Sequence, residues 1–278
     1  MYYRHNLNFK YPDRCDEHMI TVNETKKVTV DESYPFLQKS FGFKLLRSIY
    51  WLGLNFIVFF LCRFTHGLKI YGKENLKKHR KELGNGAITI SNHVFMWDYL
   101  CVLKAIRPHL AYFPAWKENL NGGFGSWIRM SGGIPIPTGS IRATINFKKA
   151  LDEVLESGKY MHIYPEGSMW CYYPDIRPFK LGAFQLAVKH GKPIIPISIS
   201  FRPRKGIYKL LGRKPLADLH IGEPIYPDKT LTSREAAEKM RAEAYHVMQM
   251  MNGIDPSSPT YNTDQKGSQS IGQKAPFV

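Results

Sequence analysis

The chain has 278 residues, of which 44% are hydrophobic, so it can build one large domain or two smaller ones around a packed core. Its 39 Lys and Arg residues against 23 Asp and Glu residues give a formal net charge of +16, which favours an anionic partner, either nucleic acid or a membrane with anionic headgroups. The cysteines form no C-x-x-C pair, which argues against a zinc site or a disulfide framework. The stretch MYYRHNLNFK lacks an apolar core, so no signal peptide is expected.

A hydrophobic segment follows a poorly determined lead-in, residues 1–40. Within residues 41–66 no side chain between Arg47 and Arg63 is charged. As a helix this uncharged run is about 22 Å long, short of the roughly 30 Å hydrocarbon core of a bilayer. Its flanks are basic on both sides, whereas a spanning helix usually has its positive excess on one side. These features predict a membrane-associated helical segment lying in one leaflet, in a monotopic or peripheral protein at the cytoplasmic face. An ordinary buried helix is the alternative.

From residue 67 onward, strand patterns alternate with helical patterns. The predicted strands are Leu68–Gly72, Ala87–Ser91, Leu110–Phe113, Met161–Tyr164, Ile194–Phe201 and Leu219–Ile221. The predicted helices are Trp97–Ile106, Ile141–Glu156, Phe184–Lys189 and Ser233–Met251. This alternation predicts an α/β domain over residues 67–251, with a mainly parallel sheet flanked by helices on both faces. Residues 252–278 are rich in Pro, Ser, Gln and Gly, and are expected to be a disordered tail.

The stretch AITISNHVFMWD runs from a predicted strand through Asn92 and His93 to the start of a helix. Positions five apart lie about 140° apart on a helix, so His93 and Asp98 can meet only if His93 lies in the preceding turn. Asp98 would then fix the tautomer of His93 and leave its other ring nitrogen free to accept a proton. Ser91 or Asn92 is a candidate N-cap. A solvent-facing turn histidine with an unrelated acid would show the same spacing.

Two further polar breaks follow strand patterns, namely Glu166-Gly167 and the glycine-rich segment 132–140. The carboxyl ends of strands are where open α/β sheets collect their sites, although an acid and a glycine after a strand are also met in ordinary turns. The sequence contains no G-x-S-x-G elbow, no H-E-x-x-H zinc site and no G-x-x-x-x-G-K-[ST] loop. Their absence excludes the common serine hydrolase, zinc protease and nucleotide hydrolase classes.

Five motifs in order, NHVFMWD, GGIPIP, YPEGS, PFKLGAF and KPIIPISIS, resemble the glycerolipid acyltransferase family, whose best-known members acylate lysophosphatidic acid. The resemblance covers residues 67 to about 225. It implies transfer of a fatty acyl group from acyl-CoA or an acyl-carrier protein to a lysolipid hydroxyl, with 1-acyl-glycerol-3-phosphate as the first candidate acceptor. It implies no cofactor and no metal. His93 would be the catalytic base and Asp98 its partner, and Glu166 and Gly167 would line the acceptor site beside Asn92.

The sequence departs from the family pattern at two positions. An arginine often stands two residues beyond E-G and another soon after the G-G-I-P strand; here these positions are Met169 and Thr138. Such arginines usually hold the acceptor's phosphate through their planar fork. Either another basic residue substitutes for them or the acceptor lacks a phosphomonoester. The candidate substitutes are Arg129, Arg142, Arg177 and Lys180.

Several alternatives remain open at this level. The chain could acylate a different lysolipid or an alcohol without a phosphomonoester, and the aromatic run Trp170, Tyr172 and Tyr173 hints at a different acceptor shape. It could also be a non-catalytic basic membrane-binding protein. The expected partners are membrane lipids, the acceptor and the acyl donor. Nucleic acid is not expected, because the basic residues flank an apolar segment instead of interleaving with aromatics on one module.

Overall fold

The computed structural model describes residues 7, 9–15, 17–20, 28–54, 56, 59–121 and 125–254. The strands in these residues are β1 (Lys69–Tyr71), β2 (Ile88–Ser91), β3 (Ala111–Trp116), β4 (Gly133–Ile136), β5 (Tyr160–Ile163), β6 (Ile194–Arg202) and β7 (Leu216–Ile221). The α-helices are α1 (Phe41–Gly53), α2 (Phe59–Thr65), α3 (Lys73–Lys78), α4 (Arg80–Leu83), α5 (Asp98–Ala105), α6 (Glu118–Asn121), α7 (Gly125–Met130), α8 (Ile141–Glu156), α9 (Gly182–His190) and α10 (Ser233–Met251).

The strands of the described residues form one seven-stranded sheet in the order β1-β7-β6-β2-β5-β3-β4. Neighbouring strands run parallel except β6 and β7, which pair antiparallel. The predicted mainly parallel α/β sheet is therefore confirmed, and the antiparallel pair of β6 and β7 is the one exception among the described strands. Residues 203–215 join β6 to β7 without an α-helix, and a parallel return usually requires a helical crossover.

Helices cover both faces of the sheet, as predicted. On one face, Ile88 and Ile90 of β2 lie in a buried cluster with side chains of α8, α9 and α10. On the other face, Ile195 and Ile197 of β6 lie in a cluster with side chains of α2 and α5. Because β2 is buried along its whole length and lies between β5 and β6, its carboxyl end opens at the middle of the sheet edge.

Helices α8 and α10 span the residues that their periodicity predicts. Ser140 caps the start of α8, and Thr232 and Glu235 form a reciprocal capping box at the start of α10. These local hydrogen bonds satisfy backbone N–H groups that have no partner inside the helix. Of the predicted disordered tail, residues 255–278 lie outside the described residues.

The hydrophobic segment folds as α1 and α2 and packs on the domain through one face. Trp51 and Leu54 are buried in the cluster that includes α5. Apolar side chains on the other face are exposed: Phe41, Leu45, Leu46, Ile49, Leu52, Phe56, Phe60 and Phe64. No helix in the described part of the chain combines the length and the apolar character needed to cross a bilayer.

Residues of the predicted lead-in pack against the α/β domain. Val30 and Phe36 are buried in the cluster that includes α8. Arg129 donates to the Pro35 carbonyl at 3.2 Å, and its guanidinium lies over the Tyr34 ring at 4.8 Å. Arg129, a candidate phosphate ligand from the sequence, is therefore engaged in anchoring this segment. Residues 1–6, 8, 16 and 21–27 of the lead-in lie outside the described residues.

Candidate active site

The polar turn after β2 is fixed to the neighbouring strand β6 by the Asn92 side chain. The Asn92 amide donates to the Ile199 carbonyl at 2.8 Å and its oxygen accepts from the Ile199 N–H at 2.8 Å. Asn92 is fully buried, and its side chain continues the hydrogen bonding between β2 and β6 at the point where the β2 backbone leaves the sheet. The expected N-cap role is wrong, because α5 begins only at Asp98 after the intervening turn, with Trp97 as its N-cap residue. Asn92 is also too enclosed to touch a substrate.

His93 lies in this turn and contacts Asp98, which is the arrangement that the sequence predicted. The His93 Nδ1 and Asp98 Oδ2 atoms are 2.7 Å apart. The same carboxylate oxygen accepts from the Val94 and Phe95 N–H groups at 2.9 and 3.2 Å, which holds the turn in shape. Asp98 is fully buried, whereas the His93 side chain is 24% exposed. The Nε2 atom of His93 has no hydrogen-bond partner among the described residues.

Tyr164, directly after β5, contacts both His93 and Asp98. Its hydroxyl donates to Asp98 Oδ1 at 2.6 Å, and its ring stacks on the His93 ring with centroids 3.8 Å apart. Burial opposes ionisation of Asp98, yet the His93 charge and the hydrogen bonds from His93, Tyr164 and Phe95 together lower its pKa. Asp98 therefore stays ionised and requires the proton-bearing nitrogen of His93 to be Nδ1, which leaves Nε2 as the acceptor.

Glu166 positions the His93 backbone from the end of β5. Its Oε2 accepts from the His93 N–H at 3.1 Å and from Arg177 Nη2 at 2.8 Å, and its Oε1 accepts from the Arg177 N–H at 2.9 Å. Both side chains are only 2% exposed. Arg177 also donates to Ser168 Oγ and to the Cys15 carbonyl. The sequence-based assignment of Arg177 as a phosphate clamp is therefore corrected, because its guanidinium is buried within the protein.

Gly167 and Lys180 lie together at the open side of the Glu166 loop. Gly167 has a φ of +81°, and a Cβ at this position would lie 2.8 Å from the Lys180 side chain. The Lys180 N–H donates to the Pro165 carbonyl at 2.8 Å, so the lysine is held beside the loop while its side chain is exposed. Lys180 thus offers a cation next to the loop that positions His93.

A second cation contacts Thr138, which is the position where the family pattern often has an arginine. Lys117, directly after β3, donates from Nζ to Thr138 Oγ1, directly beyond β4. Lys117 also pairs with Glu118 at 3.7 Å. The sequence alone does not place Lys117 at the carboxyl edge of the sheet beside Thr138, because this depends on the pairing of β3 with β4. Arg142, in contrast, is exposed on the first turn of α8, beyond edge strand β4 and three strands from β2.

The residues after Glu166 form a loop whose aromatic side chains Trp170 and Tyr172 are buried against the rest of the protein. The Trp170 and Tyr172 N–H groups donate to the His93 and Val94 carbonyls at 3.0 and 2.6 Å. The Tyr172 ring stacks on Phe9 at 5.9 Å. The aromatic run therefore fastens the N-terminal residues beside the site, and the sequence-based suggestion that it shapes the acceptor is corrected.

The chain N-terminal to α1 also reaches the site through His18. The His18 ring stacks on Trp116, the last residue of β3, with centroids 4.2 Å apart and planes 7° apart. The Glu17 carbonyl accepts from Trp170 Nε1 at 3.0 Å. The backbone at residues 17–18 therefore crosses from the β5 loop to the end of β3. Because residues 9–20 show no periodicity, the sequence alone offered no signal for this contact.

Comparisons with known proteins find an acyltransferase segment in this chain. The family model described as Acyltransferase matches residues 67–200, which hold β1 to β5, the His93 turn and most of β6. The match covers slightly less than half of the chain, and it shows that this segment is similar to acyltransferases. The resemblance to glycerolipid acyltransferases is confirmed at the level of the family.

Two known proteins that are similar to this chain differ in how much of it they match. The N-acylphosphatidylethanolamine synthase of Arabidopsis thaliana is 29% identical over 160 residues, which are 50% of this chain and 55% of that protein. The chain thus spans about half the length of this curated relative. The crystal structure of the 1-acyl-sn-glycerophosphate acyltransferase of Thermotoga maritima is 22% identical, with a TM-score of 0.48 over 75% of this chain and 88% of that one.

Two histidines near this site differ in their environment, because the His93 side chain is 24% exposed whereas His162 is fully buried. His162, directly below on β5, is fully buried between Thr89 and Ser91, and burial lowers its pKa to about 3. His162 is therefore a neutral core residue that bonds two hydroxyl groups. Among the described residues no group of three or more His, Cys, Asp or Glu side chains is arranged to hold a metal ion.

Proposed function

We propose that this chain is an O-acyltransferase that moves a fatty acyl group from a thioester donor, acyl-CoA or acyl-carrier protein, to a lysolipid hydroxyl. The single observation that carries the proposal is the His93–Asp98 contact of 2.7 Å, with the His93 ring partly exposed and Asp98 buried. The match of residues 67–200 to the Acyltransferase family supports the same reaction class. Phospholipid biosynthesis is the corresponding role.

The reaction follows from the free Nε2 atom of His93. Nε2 accepts the proton of the acceptor hydroxyl as its oxygen attacks the thioester carbonyl carbon. Collapse of the tetrahedral intermediate breaks the carbon–sulfur bond, and the leaving thiolate takes the proton from Nε2. The buried Asp98 stabilises the transient imidazolium and holds its ring. The sequence contains no G-x-S-x-G elbow, and the proposed reaction passes the acyl group directly between the substrates.

The acceptor proposed first is 1-acyl-glycerol-3-phosphate. Its phosphate would be held by Lys117, which follows β3, and by Lys180, which lies beside the Glu166 loop. A lysine binds phosphate as a point charge, so it can replace an arginine with less geometric selectivity.

A second acceptor class is favoured by the two departures from the family pattern. Met169 and Thr138 remove the arginine forks, and Arg177 is enclosed by Glu166. The name of the Arabidopsis relative specifies a product in which phosphatidylethanolamine is acylated on nitrogen. A lysolipid or amine acceptor without a terminal phosphate would use the same base.

We further propose that α1 and α2 associate with one leaflet of a membrane at its cytoplasmic face. Their exposed side carries seven large apolar residues, Phe41, Leu45, Leu46, Ile49, Leu52, Phe60 and Phe64, and Phe56 between the two helices is exposed as well. Basic residues stand at both ends of the segment, as expected for contact with anionic headgroups. A non-catalytic membrane-binding protein would share this surface, but it would not need the His93–Asp98–Tyr164 arrangement.

An acyl-transfer assay of the purified protein tests the proposal. Acyl-CoA and acyl-carrier protein are each offered with lysophosphatidic acid, lysophosphatidylethanolamine, phosphatidylethanolamine and lysophosphatidylcholine. Transfer to at least one acceptor, with thiol release at the same rate, is expected. Thiol release without an acylated lipid would identify a thioesterase, and no turnover with any pair would refute the proposed function. The ranking of acceptors decides between the two acceptor classes.

A further inference from the structure

The connection between β6 and β7, residues 203–215, exposes a compact apolar group. Ile207, Leu210 and Leu211 are 69%, 86% and 53% exposed. They lie on and directly after a 3-10 turn, Gly206–Lys209, so their side chains come from a short stretch of chain. Single exposed apolar residues are common on soluble proteins, whereas a cluster of this kind marks a contact surface.

The same connection is strongly basic. Lys205, Lys209, Arg213 and Lys214 are exposed, and no acidic residue occurs between Arg202 and Asp218. Exposed aliphatic side chains among cations, without a compensating acid, complement a surface that is apolar inside and anionic outside. That is the composition of a bilayer with anionic headgroups.

The β6–β7 connection is attached to the end of α2. The Tyr208 hydroxyl donates to the Arg63 carbonyl at 3.2 Å, and Arg204 Nη2 donates to the Thr65 carbonyl at 3.2 Å. Phe60 and Phe64 of α2 are exposed on the adjoining surface. The connection therefore extends the apolar face of the hydrophobic segment, although it is distant from that segment in sequence.

The connection also lies beside the candidate active site. It leaves β6 at the carboxyl end, and β6 runs parallel to β2, so both ends open at one edge of the sheet. The Lys214 amine lies 5.7 Å from the centre of the Tyr172 ring, and the Tyr172 N–H donates to the Val94 carbonyl at 2.6 Å. The exposed Met96 and Trp97 belong to the same His93 turn.

We infer that the β6–β7 connection is a second membrane-contact element, which docks on an anionic bilayer together with α1 and α2 and turns the His93 site toward the headgroups. The inference rests on the membrane association proposed above. Two separated contacts fix the orientation of a protein on a surface, whereas one amphipathic segment leaves it free to rotate. A lipid acceptor could then reach His93 without leaving the leaflet completely.

An environment-sensitive fluorophore at three positions tests this inference. Leu210→Cys reports on the connection and Ile49→Cys on α1. Met250→Cys, on an exposed apolar residue of α10, is the matched control. Each protein is labelled with nitrobenzoxadiazole and mixed with phosphatidylcholine vesicles or with vesicles containing phosphatidylglycerol, and the labelled wild type supplies the background from native cysteines. The emission at position 210 is expected to shift to the blue with anionic vesicles, as at position 49, and the emission at position 250 is expected to stay constant.

Flotation of the same vesicles adds a second readout. Leu210→Ser with Leu211→Ser is expected to weaken binding by about tenfold or more, because the apolar surface that each leucine would bury in the bilayer is lost. Met250→Ser is expected to have no effect. A shift at position 49 without one at position 210 overturns the inference and leaves α1 as the membrane contact. No shift at either position overturns both. A shift at position 210 in a protein that transfers no acyl group supports the inference and refutes the proposed reaction.

Discussion

Replacing Arg177 by alanine separates a structural role from a role in phosphate binding. Arg177 and Glu166 form an ion pair of 2.8 Å with both side chains 2% exposed. Removing one partner of such a pair leaves an uncompensated buried charge, which typically lowers the free energy of unfolding by about 3–5 kcal/mol. The lost bonds to Ser168 and the Cys15 carbonyl act in the same direction. Arg177→Ala should therefore remove a large share of a total stability on the order of 5–15 kcal/mol.

Urea unfolding followed by circular dichroism measures this loss. Arg142→Ala is the control, because Arg142 is exposed on α8 and its removal should change the free energy of unfolding by less than about 0.5 kcal/mol. In the Arg177→Ala background, Glu166→Gln should restore part of the stability, since it removes the unpaired charge. If Arg177→Ala unfolded like the wild type while raising only the acceptor's KM, the buried-pair reasoning would be refuted and the phosphate clamp restored.

Three further predictions concern other parts of the site. The pKa of His162 is about 3 in the folded protein, against an ordinary value of 6.5. Between these two pH values His162 binds a proton in the unfolded chain but not in the folded protein. The free energy of unfolding therefore falls as the pH drops below about 6.5. The fall should be about 2 kcal/mol between pH 7 and pH 5, and it should be missing from the pH dependence of His162→Gln unfolding. Lys117→Ala or Lys180→Ala should raise the KM for lysophosphatidic acid about ten- to a hundredfold and leave the KM for an acceptor without a terminal phosphate unchanged. Equal effects on both acceptors would argue against phosphate binding by these lysines. Asp98→Asn should lower kcat by up to about 10⁴-fold through loss of the Nδ1–H tautomer; a change below tenfold would show that tautomer control is unimportant.

The fold was largely predictable because periodicity and caps are local signals. The apolar face of α8 and the Thr232–Glu235 capping box of α10 mark their helices directly in the sequence. The direction of β7 was not predictable in this way. A strand pattern such as Leu216–Ile221 is the same whether the strand pairs parallel or antiparallel, and only the 203–215 connection decides the direction.

The contact between His93 and Asp98 was predictable because five residues in a turn constrain the two side chains strongly. The roles of Glu166 and Arg177 were not, because sequence shows an acid and a base but not their burial. Contacts between distant parts of the chain were also missed. Tyr164 reaches Asp98 from β5, and this depends on the sheet order alone.

The central claim is that His93 is the base of an acyl transfer, and its removal tests the claim most directly. Steady-state transfer by His93→Ala is measured with the best donor and acceptor pair, beside circular dichroism and vesicle flotation of the same sample. The account predicts that kcat falls by at least about 10²-fold while the spectrum and the flotation remain those of the wild type. The fold is expected to persist because the His93 ring is partly exposed and Asp98 keeps its hydrogen bonds from Val94, Phe95 and Tyr164. Wild-type turnover by a folded, membrane-bound His93→Ala protein would contradict it.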